Sequence, residues 1–414
     1  MKKTIGKSNL EGTVTAPGSK SLMQRLIVAS LLSRGTAIIH NPAANQDSFH
    51  ALDCALILGA EVNEDKNNSL HIEGGKQAPE YELNVGESGL GMRLFAAVGA
   101  MSGYEVKLNG MGSLLERPLT EFEKVFPQLG AQINTTEGKL PALIQGPFTG
   151  GSAKLDGSLS SQFLSGLLMA LPLAENDTVI EVDSLKSKPY VDMTLEVLDT
   201  FGIRTMHKDY QRFTIPGGQA YTPAEVTVEG DWSAGAALLV AGAVASKNGI
   251  FVDGLGQKFT QADQAITGAL LFAGAKLMNQ DGKYRIQAHK LRGFNFDATD
   301  CPDLFPALAA LAVACDKPSK ITGVHRLKHK ESDRGVVIQS IFKEAGIRVD
   351  LEGDVMTVHP GEVQRCTIDS HNDHRIAMAG ALLGLQGGPV TITNAEAVQK
   401  SYPEFWDDLE VLMG

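Results

Sequence analysis

GVVIQSIFKEAGI (residues 335–347) is an apolar, helix-like run that ends in a glycine, and it is one of a series. The corresponding glycines are Gly59, Gly130, Gly202, Gly274 and Gly346, which are separated by 71, 72, 72 and 72 residues. A similar run ends at Gly414, 68 residues further on. A glycine directly after a helix is typical of a C-cap, where the chain turns through a positive φ. The period therefore predicts six copies of one unit, each with an amphipathic helix.

A second series of segments has nearly the same period and marks a second helix in each copy. Each segment leads into a run rich in alanine, leucine and glycine, and helices that are apolar nearly all round are buried. Together with the strand-like runs between them, these helices predict an α/β fold with helices packed on sheets. The segments are PGSKSLMQR (17–25), GESGLGMR (86–93), DGSLSSQF (156–163), EGDWSAGA (229–236), CPDLFPAL (301–308) and NDHRIAMA (372–379).

The copies also predict how the chain divides into domains. The sixth copy has no strand after its last helix, so we expect residues 1–15 to supply it. With three copies per domain, the first domain comprises residues 18–229, and the second joins residues 1–17 to residues 230–414. Because the chain crosses twice between the two lobes, we expect a hinge and an inter-domain cleft.

The composition excludes several classes of protein. The 414 residues carry a net charge of −11, which argues against a nucleic-acid-binding surface. The N-terminal MKKTIGKSNLEG lacks the apolar core of a signal peptide, and the longest apolar run (234–245) is too short to span a membrane. The four cysteines have no metal or redox spacing. We expect a soluble, cytoplasmic protein.

Polar residues concentrate near the predicted helix starts, where free N–H groups favour anions. PGSKSLMQR carries Lys20, Ser21 and Arg25, although a solvated basic N-cap is an equal alternative for this motif alone. DGSLSSQF offers more hydrogen-bonding side chains than capping requires and favours a phosphate cradle. The remaining members of the two series are Arg93, Arg117, Ser158, Ser160, Ser161, Gln162, Tyr190, Asp303, Arg334, Asn372, Arg375 and Lys400.

Acidic residues accompany the basic ones in the second half of the chain. RLKHKESDR (326–334) puts Lys330 and Arg334 on one predicted helical face, which is unfavourable unless Glu331 or Asp333 relieves the repulsion. A solvated charge run is the alternative.

Two further helix starts combine acids with other polar residues. Asp303 is either a helix cap or, beside basic clusters, a general base. A buried Asp–Arg pair is the alternative to ligand binding for Arg375, and His374 has no second metal ligand at i±4. Together these motifs predict one cleft that binds two small polyanionic ligands.

The motifs PGSKSLMQR, DGSLSSQF, SKPYVDMT (187–194), KHKESDR, NDHR and QKSYPEF (399–405) resemble those of the 5-enolpyruvylshikimate-3-phosphate synthase family, in the same order over essentially the whole chain. The resemblance implies two domains of three inverse βαβαββ units each and a monomer that closes on its substrates. It implies transfer of the enolpyruvyl group of phosphoenolpyruvate to the 5-hydroxyl of shikimate 3-phosphate, with release of phosphate, in the shikimate pathway. No metal and no organic cofactor is implied.

The resemblance also assigns roles to residues. Asp303 would take the proton of the attacking hydroxyl, and Glu331, with Lys20 or Lys400, would handle the proton at the methylene carbon. Phosphoenolpyruvate would be held by Lys20, Gly89, Gln162, Arg334, Arg375 and Lys400. Shikimate 3-phosphate would be held by Lys20, Ser21, Arg25, Ser160, Ser161, Gln162, Ser187, Tyr190, Asp303 and Lys330.

Four residues depart from the usual pattern of that family. Glu87 and Leu90 stand where asparagine and threonine are usual, and Ser113 stands where an arginine that contacts phosphoenolpyruvate is usual. Arg326 replaces a common asparagine beside the shikimate phosphate. We expect this chain to bind phosphoenolpyruvate, and inhibitors that mimic it, differently from typical relatives, with Arg93 or Arg117 as the compensating cation.

Two other functions stay open from sequence alone. Enolpyruvyl transferases acting on UDP-N-acetylglucosamine share the fold, but they have an asparagine where this chain has Ser21 and a cysteine in the loop equivalent to 110–117. A catalytically inactive anion-binding relative is the other alternative. Retention of Asp303, Glu331 and Lys400 together argues against it, because anion binding alone needs no carboxylates.

Overall fold

A computed structural model describes residues 1–75, 81–280, 282–328 and 330–414. Helices α1 to α12 span Lys20–Leu32, Gln46–Ile57, Gly89–Ala100, Thr120–Val125, Gln162–Ala170, Lys188–Thr200, Trp232–Ala245, Ile266–Phe272, Phe305–Val313, Arg334–Glu344, His374–Gly384 and Phe405–Met413. Short 3-10 helices span Gly112–Glu116, Phe126–Leu129, Leu171–Leu173, Ala262–Ala265, Pro302–Leu304, Val324–Arg326 and Ala395–Lys400.

Strands β1 to β23 alternate with these helices. They span Lys2–Ile5, Gly12–Thr15, Gly35–His40, Glu61–Glu64, Leu70–Gly74, Glu82–Asn84, Val106–Asn109, Gln132–Thr136, Lys139–Gln145, Gly151–Asp156, Thr178–Asp183, Met206–Lys208, Arg212–Ile215, Glu225–Thr227, Ile250–Asp253, Lys276–Gln280, Lys283–Gln287, Asn295–Asp297, Ser319–Thr322, Val349–Glu352, Val355–Val358, Cys366–Asp369 and Val390–Thr393.

The phased glycines end helices as the period predicts. All five have φ between 77° and 97°, a conformation that costs other L-residues roughly 1–2 kcal/mol. A strand follows each of them, namely β4, β8, β12, β16 and β20. The predicted helix C-caps are therefore confirmed.

The second series of helices is buried, as the sequence predicts. Every residue of α3, α9 and α11 is buried, and α3 packs against α5. A Cβ at Gly166 of α5 would lie 2.3 Å from the carbonyl oxygen of Arg93, so only glycine allows this approach. Among the described residues, no helix is both long and apolar enough to cross a membrane.

The first five of six small sheets share one topology. In the second copy, β6 pairs parallel with β7, β7 pairs antiparallel with β9, and β9 forms a hairpin with β8. The first five copies thus follow the order βαβαββ, whereas the sixth sheet has three strands. The sheets are β14-β3-β5-β4, β6-β7-β9-β8, β10-β11-β13-β12, β2-β15-β17-β16, β18-β19-β21-β20 and β22-β23-β1.

The N-terminal residues serve two different sheets, which corrects the expectation that all of residues 1–15 close the sixth copy. Strand β1 does complete the sixth sheet, antiparallel to β23. Strand β2 instead pairs parallel with β15 of the fourth copy, while β14, which precedes the fourth copy's buried helix, pairs with β3 of the first. The first and fourth copies have exchanged their first strands.

The chain forms two compact units. The terminal unit comprises residues 1–17, 230–257 and 261–414, and the central unit comprises residues 18–229 and 258–260. The two segments at which the chain passes from one unit to the other are hydrogen-bonded to each other within each unit. In the central unit Ser19 N donates to Glu229 O at 2.7 Å, and in the terminal unit Asp231 N donates to Pro17 O at 2.7 Å.

Candidate active site

Arg25 joins three helices of the central unit through uncharged oxygens. Its Nε donates to Thr194 Oγ1 at 2.8 Å, and its Nη1 donates to the carbonyl of Ser21 at 2.7 Å. Its Nη2 donates to Ser165 Oγ at 3.4 Å and to the carbonyl of Tyr190 at 3.1 Å. Burial lowers the pKa of Arg25 to about 10, so the side chain is a buried cation at neutral pH.

The start of α1 supplies a second cation. Lys20 is the first residue of the helix, and its Nζ lies 2.9 Å from Asp47 Oδ2 near the start of α2. One turn later, Gln24 is fully buried and accepts a hydrogen bond from Ser88 Oγ at 3.0 Å. Ser88 is the N-cap of α3, so α1 fixes the loop that leads to Gly89.

Two buried arginines converge on Gly89. A Cβ at Gly89 would lie 2.4 Å from Arg117 Nη1, 3.3 Å from Arg93 Nη1 and 3.5 Å from Gln162 Oε1. Arg93 donates to the carbonyls of Gly89 and Pro118, and burial, with repulsion by Arg117, lowers its pKa to about 9. The absence of a side chain at Gly89 therefore lets the Arg117 guanidinium approach the start of α3, where two neighbouring guanidinium groups are suited to a small anion.

The hydroxyl groups of the serine-rich segment DGSLSSQF (156–163) do not form a conventional N-cap of α5. Ser161 stands at the N-cap of α5 but makes no side-chain capping bond, whereas Ser160 Oγ accepts from Gln162 N at 3.2 Å. Ser187, buried with φ of 54°, precedes α6, in which Tyr190 is the third residue. These side chains are on the central unit together with Lys20, Ser21 and Arg25.

In the terminal unit, Asp303 contacts two cations instead of capping a helix. Its Oδ1 lies 3.0 Å from Lys330 Nζ and 2.6 Å from Arg334 Nη1. Burial alone would raise the pKa of Asp303, but Lys330, Arg334 and Arg375 together lower that pKa well below its usual range. The carboxylate is a quarter exposed and is ionised at neutral pH.

Arg334 is the centre of this cluster. It is 1% exposed and contacts three carboxylates: Asp303, Glu331 Oε2 at 2.5 Å, and Asp373 at 2.8 and 3.2 Å. Burial lowers the pKa of Arg334, but the three acids raise it well above its usual range. Burial lowers the pKa of Lys330, against the opposing effect of Asp303.

Arg375 and Lys400 complete the set of buried cations in the terminal unit. Within the described part of the chain, Nε and Nη1 of Arg375 are buried and have no hydrogen-bond partner, while its Nη2 lies 4.0 Å from Asp231 Oδ1. Lys400 Nζ donates to the carbonyl of Asn372 at 2.7 Å. Buried N–H groups without partners are costly, so the Arg375 guanidinium is suited to binding an anion.

Three expectations about these side chains need correction. Lys330 and Arg334 do not share a helical face, because α10 begins at Arg334 and Asp333 serves as its N-cap; the acid shared by both cations is Asp303. The Asp373 carboxylate pairs with Arg334 and accepts only the backbone N–H of Arg375, so the buried acid near the Arg375 guanidinium is Asp231, at 4.0 Å.

The third correction concerns helix starts. Arg117 and Lys400 lie at the ends of 3-10 turns, not at the start of an α-helix. Pro118 directly follows Arg117, and proline restricts the residue before it to extended conformations, as seen for Arg117. Tyr190 and Arg334 do lie in first turns, as expected.

Comparison with known proteins identifies the family. The EPSP synthase (3-phosphoshikimate 1-carboxyvinyltransferase) family matches residues 5–409. The chain belongs to this family. It is 35% identical to the 3-phosphoshikimate 1-carboxyvinyltransferase of Methanococcoides burtonii, over 99% of this chain and 97% of that protein. It is 36% identical to that of Clostridium kluyveri, again over 99% and 97% of the two chains.

Solved structures agree with the family assignment. An EPSP synthase from Acinetobacter baumannii superposes with a TM-score of 0.85 at 26% identity, over 99% of this chain and 98% of that one. The enolpyruvyl transferase NikO from Streptomyces tendae gives 0.80 at 17% identity, over 99% and 96%, which shows the shared fold alone. The chain is thus an enzyme of the EPSP synthase family with the two-domain α/β fold expected from its motifs.

From sequence alone, Arg117 was expected only as an alternative to Arg93 for the cation that compensates at the phosphoenolpyruvate site. The structure puts its guanidinium group beside Gly89 and Gln162, which were both assigned to phosphoenolpyruvate. The motif itself, Glu116-Arg117-Pro118, was visible, but its contact with Gly89 joins residues 28 apart in sequence and has no local signature.

Proposed function

We propose that this EPSP synthase moves the enolpyruvyl group of phosphoenolpyruvate onto the 5-hydroxyl of shikimate 3-phosphate, and that its two units supply different parts of the chemistry. The observation that carries the proposal is the Asp303 carboxylate, held by Lys330 and Arg334 with no capping role. A scaffold that only binds anions gains nothing from an acid at that position.

The reaction needs one proton delivered to carbon and two removed, one from the hydroxyl and one from the methyl group, and the departing phosphate takes up one proton in balance. Protonation of the methylene carbon of phosphoenolpyruvate makes its C2 electrophilic, and the 5-hydroxyl then attacks C2 and loses its proton. The C–O bond to phosphate breaks next, and loss of a methyl proton restores the double bond. Asp303 takes the hydroxyl proton, while Glu331, with Lys20 or Lys400, exchanges the proton at the methylene carbon.

Substrate binding would strengthen Asp303 as a base. In the ligand-free protein, Lys330 and Arg334 hold the pKa of its carboxyl low, which makes it a weak proton acceptor. An anionic ligand that shares these two cations weakens their hold on Asp303 and raises its pKa towards that of a useful base. The base is therefore activated only when substrate is present.

We assign phosphoenolpyruvate to Lys20, Gly89, Gln162, Arg334, Arg375 and Lys400, and add Arg117 to this set. Arg117 lies beside Gly89 and Gln162, and the partnerless N–H groups of Arg375 match a carboxylate or phosphate acceptor. Several fixed cations also stabilise the tetrahedral intermediate and the departing phosphate.

We assign shikimate 3-phosphate to Lys20, Ser21, Arg25, Ser160, Ser161, Gln162, Ser187, Tyr190, Asp303 and Lys330. Arg25 itself already makes four hydrogen bonds to protein oxygens, so we propose that it also holds α1, α5 and α6 together.

We propose a monomeric cytoplasmic enzyme without a cofactor, with residues 18–229 and residues 1–17 plus 230–414 as its domains. Light scattering on the purified chain tests the monomer.

Phosphate release with defined substrates tests the function. We expect release from phosphoenolpyruvate with shikimate 3-phosphate and none with UDP-N-acetylglucosamine. Proton NMR of the product should show two vinylic protons of an enol ether. Release only with the UDP-sugar, or none with either acceptor, would contradict the proposal.

A further inference from the structure

The carboxylate of Glu87 lies at the start of the 3-10 turn that carries Arg117. Its Oε2 accepts from Ser113 N at 3.3 Å and from Ser113 Oγ at 3.4 Å. The turn spans Gly112–Glu116 and is not capped by the side chain of Met111, the residue before it. Glu87 therefore accepts a hydrogen bond from a free backbone N–H at the start of this turn, as an acidic N-cap residue does at the start of a helix.

The local backbone makes room for this contact. Gly112 has φ of 54°, and a Cβ there would lie 2.5 Å from the carboxyl carbon of Glu87. A backbone bond from Met111 N to the carbonyl of Gly86 at 2.7 Å joins the same two segments. The loop before α3 and the turn before α4 are thus tied together at two successive points.

The turn ends at Arg117, whose backbone N–H donates to the carbonyl of Leu114 at 3.0 Å. The same loop that supplies Glu87 continues to Gly89, beside which the Arg117 guanidinium lies. The contact between Glu87 and Ser113 therefore fixes the distance between Gly89 and Arg117. This geometry involves only residues of the central unit.

We propose that Glu87 is a positioning residue for Arg117, acting through the turn at Ser113 and setting the affinity for phosphoenolpyruvate. The inference rests on the proposed role of Arg117 in holding that substrate. Glu87 acts in two opposed ways: its oxygens hold the turn, while its negative charge weakens an anion site. Removing the oxygens and removing only the charge must then have opposite effects.

Steady-state phosphate release measures both effects. Glu87→Ala loses the contact, and we expect the KM for phosphoenolpyruvate to rise about fivefold while the KM for shikimate 3-phosphate stays within twofold. Glu87→Gln keeps an acceptor oxygen without the charge, and we expect a KM for phosphoenolpyruvate equal to or below that of the unmodified enzyme. The inhibition constant of inorganic phosphate, competing with phosphoenolpyruvate, should move in parallel.

Glu116→Ala is the matched control. It removes a carboxylate from the same turn, but Glu116 is exposed and pairs with Lys139 instead of holding the turn. We expect its KM values to stay within twofold. Thermal unfolding of each variant distinguishes a shifted site from a destabilised fold.

Three outcomes overturn the inference: an unchanged KM for phosphoenolpyruvate in Glu87→Ala, equal rises for both substrates, or a Glu87→Gln variant as impaired as Glu87→Ala. Arg117→Met separates these from failure of the proposed site. If Arg117→Met leaves the KM for phosphoenolpyruvate unchanged, the assignment of Arg117 is wrong; if only Arg117→Met raises it, Glu87 alone is wrongly assigned.

Discussion

Buried arginines of the central unit and Arg334 of the terminal unit are held in opposite ways. In the central unit, Arg25 and Arg93 donate to hydroxyl and carbonyl oxygens, and burial lowers the pKa of both. In the terminal unit, Arg334 is surrounded by the carboxylates of Asp303, Glu331 and Asp373, which raise its pKa. The first arrangement keeps an uncompensated positive charge, and the second cancels it.

This difference separates binding from proton transfer. An arginine held by uncharged oxygens keeps its full attraction for a phosphate or carboxylate. A cluster of acids and cations can instead exchange protons when a ligand alters its balance of charge. We therefore propose that the central unit contributes mainly to anion binding, and that the terminal unit adds acids and bases to its own anion-binding cations Arg375 and Lys400.

The largest effect should follow from loss of the proposed base. We expect Asp303→Asn to lower kcat about 10³-fold, because the amide cannot accept the proton of the attacking hydroxyl. Phosphate release measures this. Asp333→Asn is the control, since asparagine can replace aspartate as the N-cap of α10, and its kcat should stay within a factor of two. Comparable losses in both variants would contradict the role of Asp303.

Removal of the cation from the acidic cluster should be the most damaging change to stability. We expect Arg334→Met to lower the free energy of unfolding by about 4 kcal/mol, because three carboxylates would remain without their shared partner. Urea unfolding measures the loss. In contrast, Arg348→Met removes an arginine that is 71% exposed and pairs with Asp350, and the free energy of unfolding should fall far less than in Arg334→Met.

The corresponding change in the central unit should cost less. We expect Arg25→Met to lower the free energy of unfolding by about 2 kcal/mol, because uncharged oxygens of Ser165, Thr194 and Tyr190 each lose one donor and no buried charge is left unpaired. Urea unfolding of this variant beside Arg334→Met makes the comparison direct. A larger loss for Arg25→Met would refute the contrast between the units.

The smallest effect should be on the pH dependence of stability under acidic conditions. The folded pKa of Asp303 lies well below its usual value, so its contribution to stability is present above about pH 4 and is lost as the pH falls towards the folded pKa. Urea midpoints between pH 3 and pH 6 should therefore fall less steeply for Asp303→Asn than for the unmodified enzyme. Parallel slopes would show that Asp303 is not ion-paired in the folded state.

Much of the fold could be predicted because its signals are local and repeated. The glycines after the amphipathic helices and the apolar runs after each polar start reflect caps and burial, which depend on neighbouring residues. The exchange of β2 and β14 could not be predicted, since either strand satisfies the same edge of a sheet. Which of the two strands joins which sheet depends on contacts between residues more than 180 positions apart in the sequence.

The site was predictable as a set of residue types, but its pairings were not. Charged residues near helix starts indicated anion binding, and the motifs indicated the family. The contact of Asp373 with Arg334 depends on how the fifth and sixth copies pack, and the approach of Arg117 to Gly89 depends on how two distant segments of the second copy meet. Such contacts leave no periodic trace in the sequence.

Calorimetric titration of phosphoenolpyruvate into Arg117→Met and Asp303→Asn tests the division between binding and proton transfer most directly. We expect Arg117→Met to lose at least tenfold in affinity for phosphoenolpyruvate, and Asp303→Asn to bind it as tightly as the unmodified enzyme or more tightly. If Arg117→Met binds normally and Asp303→Asn does not, the roles assigned to the two units are wrong.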